Sequence, residues 1–144
     1  GLNAGLEEIM EDYSGTPAAA RAAFELGIMH RDAAEFDAAV EAFKQAGFSD
    51  DVFGPLTDAN IGDCLVELGD LEGAEGHFAS AASAAASGLA AKALSPMCSY
   101  KRALVLLELG ENDKARNVLE DLSEDFPNST YASNATGLAA SLAR

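Results

Sequence analysis

The chain has 144 residues, of which 49% are hydrophobic, enough apolar material for one continuous core and too much for a disordered segment. Its 24 acidic residues face 9 basic ones, and a formal net charge of −15 repels polyanions, which excludes nucleic acid and an anionic membrane face as partners. Two cysteines, Cys64 and Cys98, supply neither a disulfide framework nor the roughly four ligands of a structural zinc, and no window approaches the roughly 18 consecutive apolar residues of a membrane span.

Residues 2–12 read as a first helical stretch. Thr16 is a candidate N-cap with Pro17 at the first helical position, and apolar or small residues then recur at Ala20, Ala23, Phe24, Gly27 and Ile28 with helical spacing. That helix is expected to end near Ala33. A second runs from about Glu35 to Gly47, burying Phe36, Ala39, Val40 and Phe43, and stops at the turn Gly47-Phe48-Ser49. The following helices are expected over about 53–68, 71–86, 96–109 and 112–125, and a last one over Ser129 to Leu142, with Asn128 or Ser129 as its N-cap. No segment alternates apolar and polar residues for long, so no sheet is expected.

The helices repeat. VELGDLEGA at 66–74 and LELGENDKA at 107–115 both write Glu-Leu-Gly, four variable positions and Ala, and MHRDAAEFDAA is a weaker copy with Ala34 in the glycine position and Ala39 in that of the alanine. An offset of 35 residues carries Gly27 to Gly62, Ala39 to Ala74, Phe43 to Phe78 and Ala46 to Ala81. The next step, from Gly69 to Gly110, is 41, and the six extra residues are expected in an extended connection through ASAAASGLAAKALS. Periods of this size mark helix-turn-helix solenoids. The whole chain, 1–144, thus reads as one domain with repeats at about 20–53, 55–90 and 96–128, flanked by helices at about 2–12 and 129–143.

This pattern resembles tetratricopeptide repeats. The family's small residue midway along the first helix of each repeat matches Gly27, Gly62 and Ala103; its turn glycine matches Gly69 and Gly110. Its alanine on the second helix matches Ala39, Ala74 and Ala115, its bulky residue four positions on matches Phe43, Phe78 and Leu119, and its terminal proline matches Pro127. The fold implied is all-α, a tetratricopeptide-type α-solenoid in which antiparallel helix pairs wind into a right-handed superhelix. The phrases EDYSGTPAAARAAFELGI, GFSDDVFGPLTDANIGDCLVELGD and LSPMCSYKRALVLLELGENDKARNVLEDLSEDFPNS look more closely like the bacterial YfgM-like tetratricopeptide proteins of Bacteroidetes-type envelopes. That resemblance implies a periplasmic domain held at the inner membrane by an N-terminal helix, with an accessory or chaperone-like role near protein export or assembly. Membrane attachment would then be through an anchor upstream of Gly1, outside this chain.

No catalytic or metal-binding constellation emerges, so no cofactor and no enzymatic activity are expected. His30 and His77 lie on different repeats without a second ligand one turn away. The acidic groups Glu7, Glu8, Glu11, Asp12 and Glu120, Asp121, Glu124, Asp125 read as solvated helix faces, since neither has the alternating oxygens around a glycine that calcium needs. Gly69 and Gly110 follow helices and lack a phosphate-loop lysine.

Function is therefore expected on the concave face. The family's groove positions fall on Arg21, Phe24, Ile28 and Arg31 of the first repeat, Leu56, Ala59, Asn60 and Asp63 of the second, and Met97, Tyr100, Lys101 and Leu104 of the third. In the family's clamp for C-terminal carboxylates only Asn60 and Lys101 would fit, while Phe24, Ile28 and Met97 would not, which disfavours that ligand. The groove is expected to take a protein or peptide partner by apolar contacts, its inner face less acidic than the outer because of Arg21, Arg31 and Lys101, unless a terminal helix covers it. The alternative is a structural homo-oligomer that uses the groove or an end helix for itself.

Overall fold

The computed structural model describes residues 1–88 and 90–142, and among these it contains eight helices and no strand. They are α1 (Leu2–Asp12), α2 (Pro17–Asp32), α3 (Phe36–Ala46), α4 (Phe53–Glu67), α5 (Leu71–Ala85), α6 (Ala91–Glu108), α7 (Asn112–Asp125) and α8 (Ala132–Leu142). Position 143, the expected end of the terminal helix, lies outside the described residues. Helices α2 and α3, α4 and α5, and α6 and α7 form hairpins, with α1 at one end and α8 at the other. Apart from a narrow touch between α4 and α6, the substantial packing joins consecutive helices.

Local side-chain chemistry starts three of these helices, α2, α4 and α5. Thr16 accepts a hydrogen bond from the Ala19 amide at 3.2 Å, with Pro17 just inside, and Asp70 accepts one from Gly73 at 2.9 Å. Asp50 accepts from the amides of Val52 and Phe53 at 2.9 and 2.6 Å and so opens α4.

All three hairpin turns close in one way. The amides of Ala34, Gly69 and Gly110 donate three residues back, to Arg31, Val66 and Leu107, and the next amides donate five residues back, to His30, Leu65 and Leu106. This double bond pattern is the Schellman motif, which needs a left-handed residue. Gly69 and Gly110 take φ of 81° and 78°, and Ala34 takes 59°, alone among the described non-glycine residues in having positive φ. The weaker third copy of the repeat therefore keeps the turn and bears its steric cost.

Inside each hairpin a small residue on the first helix meets a large one on the second. Phe43 and Phe78 are fully buried against Gly27 and Gly62, and Leu119 is buried in the cluster that contains Ala103. Between hairpins, Phe43 packs with Ile61 and Cys64 of α4, and Phe78 packs with Val105 of α6. Helix α8 completes the stack by seating Ala135 and Ala139 against Leu119 and Leu122, whereas α1 buries no residue.

Two expectations change. The Ala/Ser-rich stretch is mostly helical, because α5 continues to Ala85 and α6 already begins at Ala91, five residues before Pro96. Alanine, lysine and leucine favour a helix ahead of the proline, and the buried Ser95 hydroxyl donates to the Ala82 carbonyl at 3.1 Å, which pins that turn on α5. The last helix starts at Ala132 rather than Ser129, whose hydroxyl instead accepts from the Tyr131 amide at 3.2 Å in the turn before it.

Candidate protein-binding site

Arg31, Asp63, Lys101 and Leu104 come together on one cavity of about 490 Å³ between α2, α4 and α6. Its floor is apolar: Phe36 from the start of α3, Val66 of α4, Phe78 of α5 and Val105 of α6. Leu104 is 42% exposed there, a large aliphatic side chain open to water on the wall of the cavity.

The polar residues of this surface tie the helices to one another. Arg31 donates through Nη1 to Oδ1 of Asn60 on α4, and through Nε and Nη2 to Oδ1 of its neighbour Asp32 at 3.3 and 3.1 Å. Asn60 is buried and donates through Nδ2 to the Leu56 carbonyl at 2.8 Å, so its amide is used on both sides. Lys101 donates to both carboxylate oxygens of Asp63 at 2.8 and 2.9 Å and stands 5.9 Å from the centroid of the Phe78 ring. Lys101 is thereby paired with a carboxylate of the cavity, and Arg31 with its exposed neighbour Asp32 and the Asn60 amide. Glu67 and Glu108, which the groove mapping did not include, also line the cavity, and among the described residues neither has a cation within ion-pair distance.

The other mapped residues lie elsewhere. Phe24 is half-buried, edge-on to Phe43 at 5.6 Å and to Phe48 and Phe53 at 6.0 Å each, which makes it part of an aromatic cluster under the turn from α3 to α4. Ile28 rests on the core cluster of Val40, Phe43 and Ile61. Met97 packs on Ala59, Ala81 and Cys98, and Tyr100 lies 5.5 Å from the ring of Tyr131, which precedes α8. Arg21 is exposed. Among the described residues, the C-terminal segment thus packs on Tyr100 and leaves the cavity at Leu104 open.

Glu67 and Glu108 escaped the groove mapping, although the sequence carries a signal for them. The three hairpin turns read DAAEFD, ELGDLE and ELGEND, with acids at the first, fourth and sixth places each time. The first acid of each, Asp32, Glu67 or Glu108, is the last residue of α2, α4 or α6. A helix C-terminus carries partial negative charge, so this is the unfavourable end for a carboxylate. Arg31 offsets the cost at Asp32.

Of the remaining candidates His77 has a side-chain partner within hydrogen-bond distance, whereas the buried Nδ1 of His30 has none among the described residues. His77 Nδ1 lies 3.1 Å from Asp58 Oδ1, and His30 Nδ1 lies 3.6 Å from Glu35. Cys64 and Cys98 are free and buried, and burial raises both thiols, Cys98 to about 11. Among the described residues, no group of three or more His, Cys, Asp or Glu is placed to hold a metal, and no helix is long and apolar enough to cross a membrane.

Residues 98–129, from within α6 through α7, match the profile of the tetratricopeptide repeat family. No curated protein matches the chain. The matched segment holds the small residue Ala103, the turn glycine Gly110, Ala115 and Leu119, and the hairpins before it place Gly27, Phe43, Gly62 and Phe78 at the corresponding points of contact. The fold is that of a tetratricopeptide-type α-solenoid, and residues 98–129 are its recognised repeat.

Proposed function

We propose that the chain is a non-enzymatic protein-interaction scaffold that holds a polypeptide segment in the cavity between α2, α4 and α6. One observation carries this reading: an open apolar cavity of about 490 Å³, built by successive hairpins, with Leu104 exposed on its wall. Cavities of this size suit a few side chains of a partner, and an exposed aliphatic residue in a depression marks a contact site more strongly than one on a flat surface. The resemblance to YfgM-like proteins supports an accessory or chaperone-like role near export or assembly, on the periplasmic side of a bacterial inner membrane. The test is cross-linked capture from the envelope with the membrane-tethered protein, comparing wild type with Leu104→Ser. Proteins held in the cavity disappear from the Leu104→Ser sample; an unchanged set of captured proteins refutes the cavity as the site.

A second reading, self-association, is favoured by α1. Leu2 and Ile9 of that helix are 69% and 37% exposed on one stripe, which Tyr13, its C-cap, continues at 57%. Light scattering over a concentration series separates the two: a mass that rises with concentration and returns to the monomer in Leu2→Ser/Ile9→Ser identifies a homo-oligomer built on α1.

A further inference from the structure

We infer that the occupant of the cavity is a cationic amphipathic segment, one whose apolar side chain seats against Leu104, Val66 and Val105 while a neighbouring Lys or Arg reaches Glu67 or Glu108. The inference rests on the binding role proposed above and adds the chemistry of the partner. Charge complementarity selects it. The two cations on the cavity are already engaged, Arg31 by Asp32 and Asn60 and Lys101 by both oxygens of Asp63, so they offer little to an incoming carboxylate. Glu67 and Glu108, without an ion-pair partner among the described residues, line the same cavity as the exposed Leu104. They also occupy the helix ends where the backbone dipole disfavours them, and among the described residues no ion pair repays that cost. A bound cation would relieve the carboxylate it reaches. An acidic segment would meet repulsion from Glu67, Glu108 and the overall charge of −15. The same argument sets aside a second copy docking its α1 here, because that helix carries Glu7, Glu8, Glu11 and Asp12 and no basic residue.

The experiment is fluorescence anisotropy of the whole chain with a labelled Leu/Lys amphipathic peptide, its Leu/Glu counterpart and its Ser/Lys counterpart. The Leu/Lys peptide is expected to bind at least ten-fold more tightly than either of the others. Glu67→Gln/Glu108→Gln should weaken it roughly five- to ten-fold and flatten its salt dependence, as two partly screened ion pairs are lost. Glu120→Gln/Glu124→Gln makes the same change in net charge on the exposed face of α7 and should stay within about two-fold of wild type, which separates a local site from attraction to an acidic protein. Thermal melts guard against unfolding, since removing an acid from a helix C-terminus should leave stability unchanged or higher. Equal losses in the two double variants, or equal binding of the Leu/Glu peptide, overturn the inference. If Leu104→Ser releases the peptide while Glu67→Gln/Glu108→Gln does not, the groove stands and the cationic partner falls; if neither substitution matters, both readings fall.

Discussion

A side chain on Gly62 has nowhere to go but into Phe78: a Cβ there would lie 2.6 Å from Cε1 of the ring, and Gly27 stands in the same relation to Phe43. Both rings are fully buried and cannot swing aside. The third hairpin solves the same contact with a larger first residue and a smaller second one, Ala103 and Leu119. Overpacking a buried contact costs about 1–3 kcal/mol. Gly62→Ala should therefore destabilise the chain by about that amount, and Phe78→Leu alone should cost about 1 kcal/mol through the space it leaves. Together they should cost less than their sum by about 1 kcal/mol, because the pair reproduces the third hairpin. Urea melts of the two single variants and the double decide it; strict additivity would mean that the two positions do not share one contact.

The left-handed turn gives a second prediction. Ala34 holds φ of 59° where its counterparts are glycines, and the left-handed region costs a residue with a Cβ about 1 kcal/mol. Ala34→Gly should raise stability by roughly 0.5–1 kcal/mol, offset in part by the greater freedom of the unfolded chain. Gly69→Ala should lower it by about 1 kcal/mol through conformation alone, because a Cβ on Gly69 would find no atom within 4 Å. Melting temperatures that move the opposite way for either substitution contradict the shared turn geometry.

Burial of the thiols sets a third. Cys98 is pushed up to about 11 and Cys64 is raised as well, while an unfolded thiol ionises near about 8.5. The folded state keeps the proton longer, so the stability associated with these groups is complete below about pH 8.5 and is lost as the pH climbs through the folded values. For Cys98 the slope is up to about 1.4 kcal/mol per pH unit between about 8.5 and 11. Subtracting the stability–pH curve of Cys98→Ala from that of wild type should isolate it. Neither thiol should react with a maleimide at pH 8 until the chain is unfolded.

Asp50 gives the opposite sign. Hydrogen bonds from the Phe53 and Val52 amides hold its carboxyl below the usual range, so the folded state favours the anion. The stabilisation is present above the unfolded value near about 4 and disappears as the pH falls through the lowered one. The gap in melting temperature between wild type and Asp50→Ala should be constant near neutrality and narrow below about pH 4. A gap unchanged at pH 2.5 would show that the charge of Asp50 has no part in starting α4.

Much of the architecture was legible because it is written locally. The spacing of Gly27, Gly62, Phe43 and Phe78 reports contacts that recur at one offset, and Gly69 and Gly110 report a backbone angle. Residues 86–95 were harder to read, because Pro96 suggests a helix start by its own geometry while the preceding Ala-Lys-Ala-Leu and the bond from Ser95 to Ala82 carry the helix through it. The groove was legible as a surface and less so as a site. Family positions locate which side of α2, α4 and α6 faces inward, but whether Phe24 or Tyr100 is free depends on Phe48, Phe53 and Tyr131, supplied by other elements. The state of Arg31 and Lys101 depends likewise on Asn60 and Asp63 across a helix boundary, at 29 and 38 residues' separation.

The chain of consecutive packing has a mechanical consequence. Helices lean almost wholly on their sequence neighbours, and among the described residues no substantial packing ties α1 or α2 to α7 or α8, so there is no broad clasp between the ends whose release would spill the whole structure. Pulled from its two ends, it should lengthen in steps the size of one hairpin, and the end carried by α1, which buries no side chain, should yield first. An optical-trap trace with a single cooperative rip would show instead that the three hairpins share load as one body.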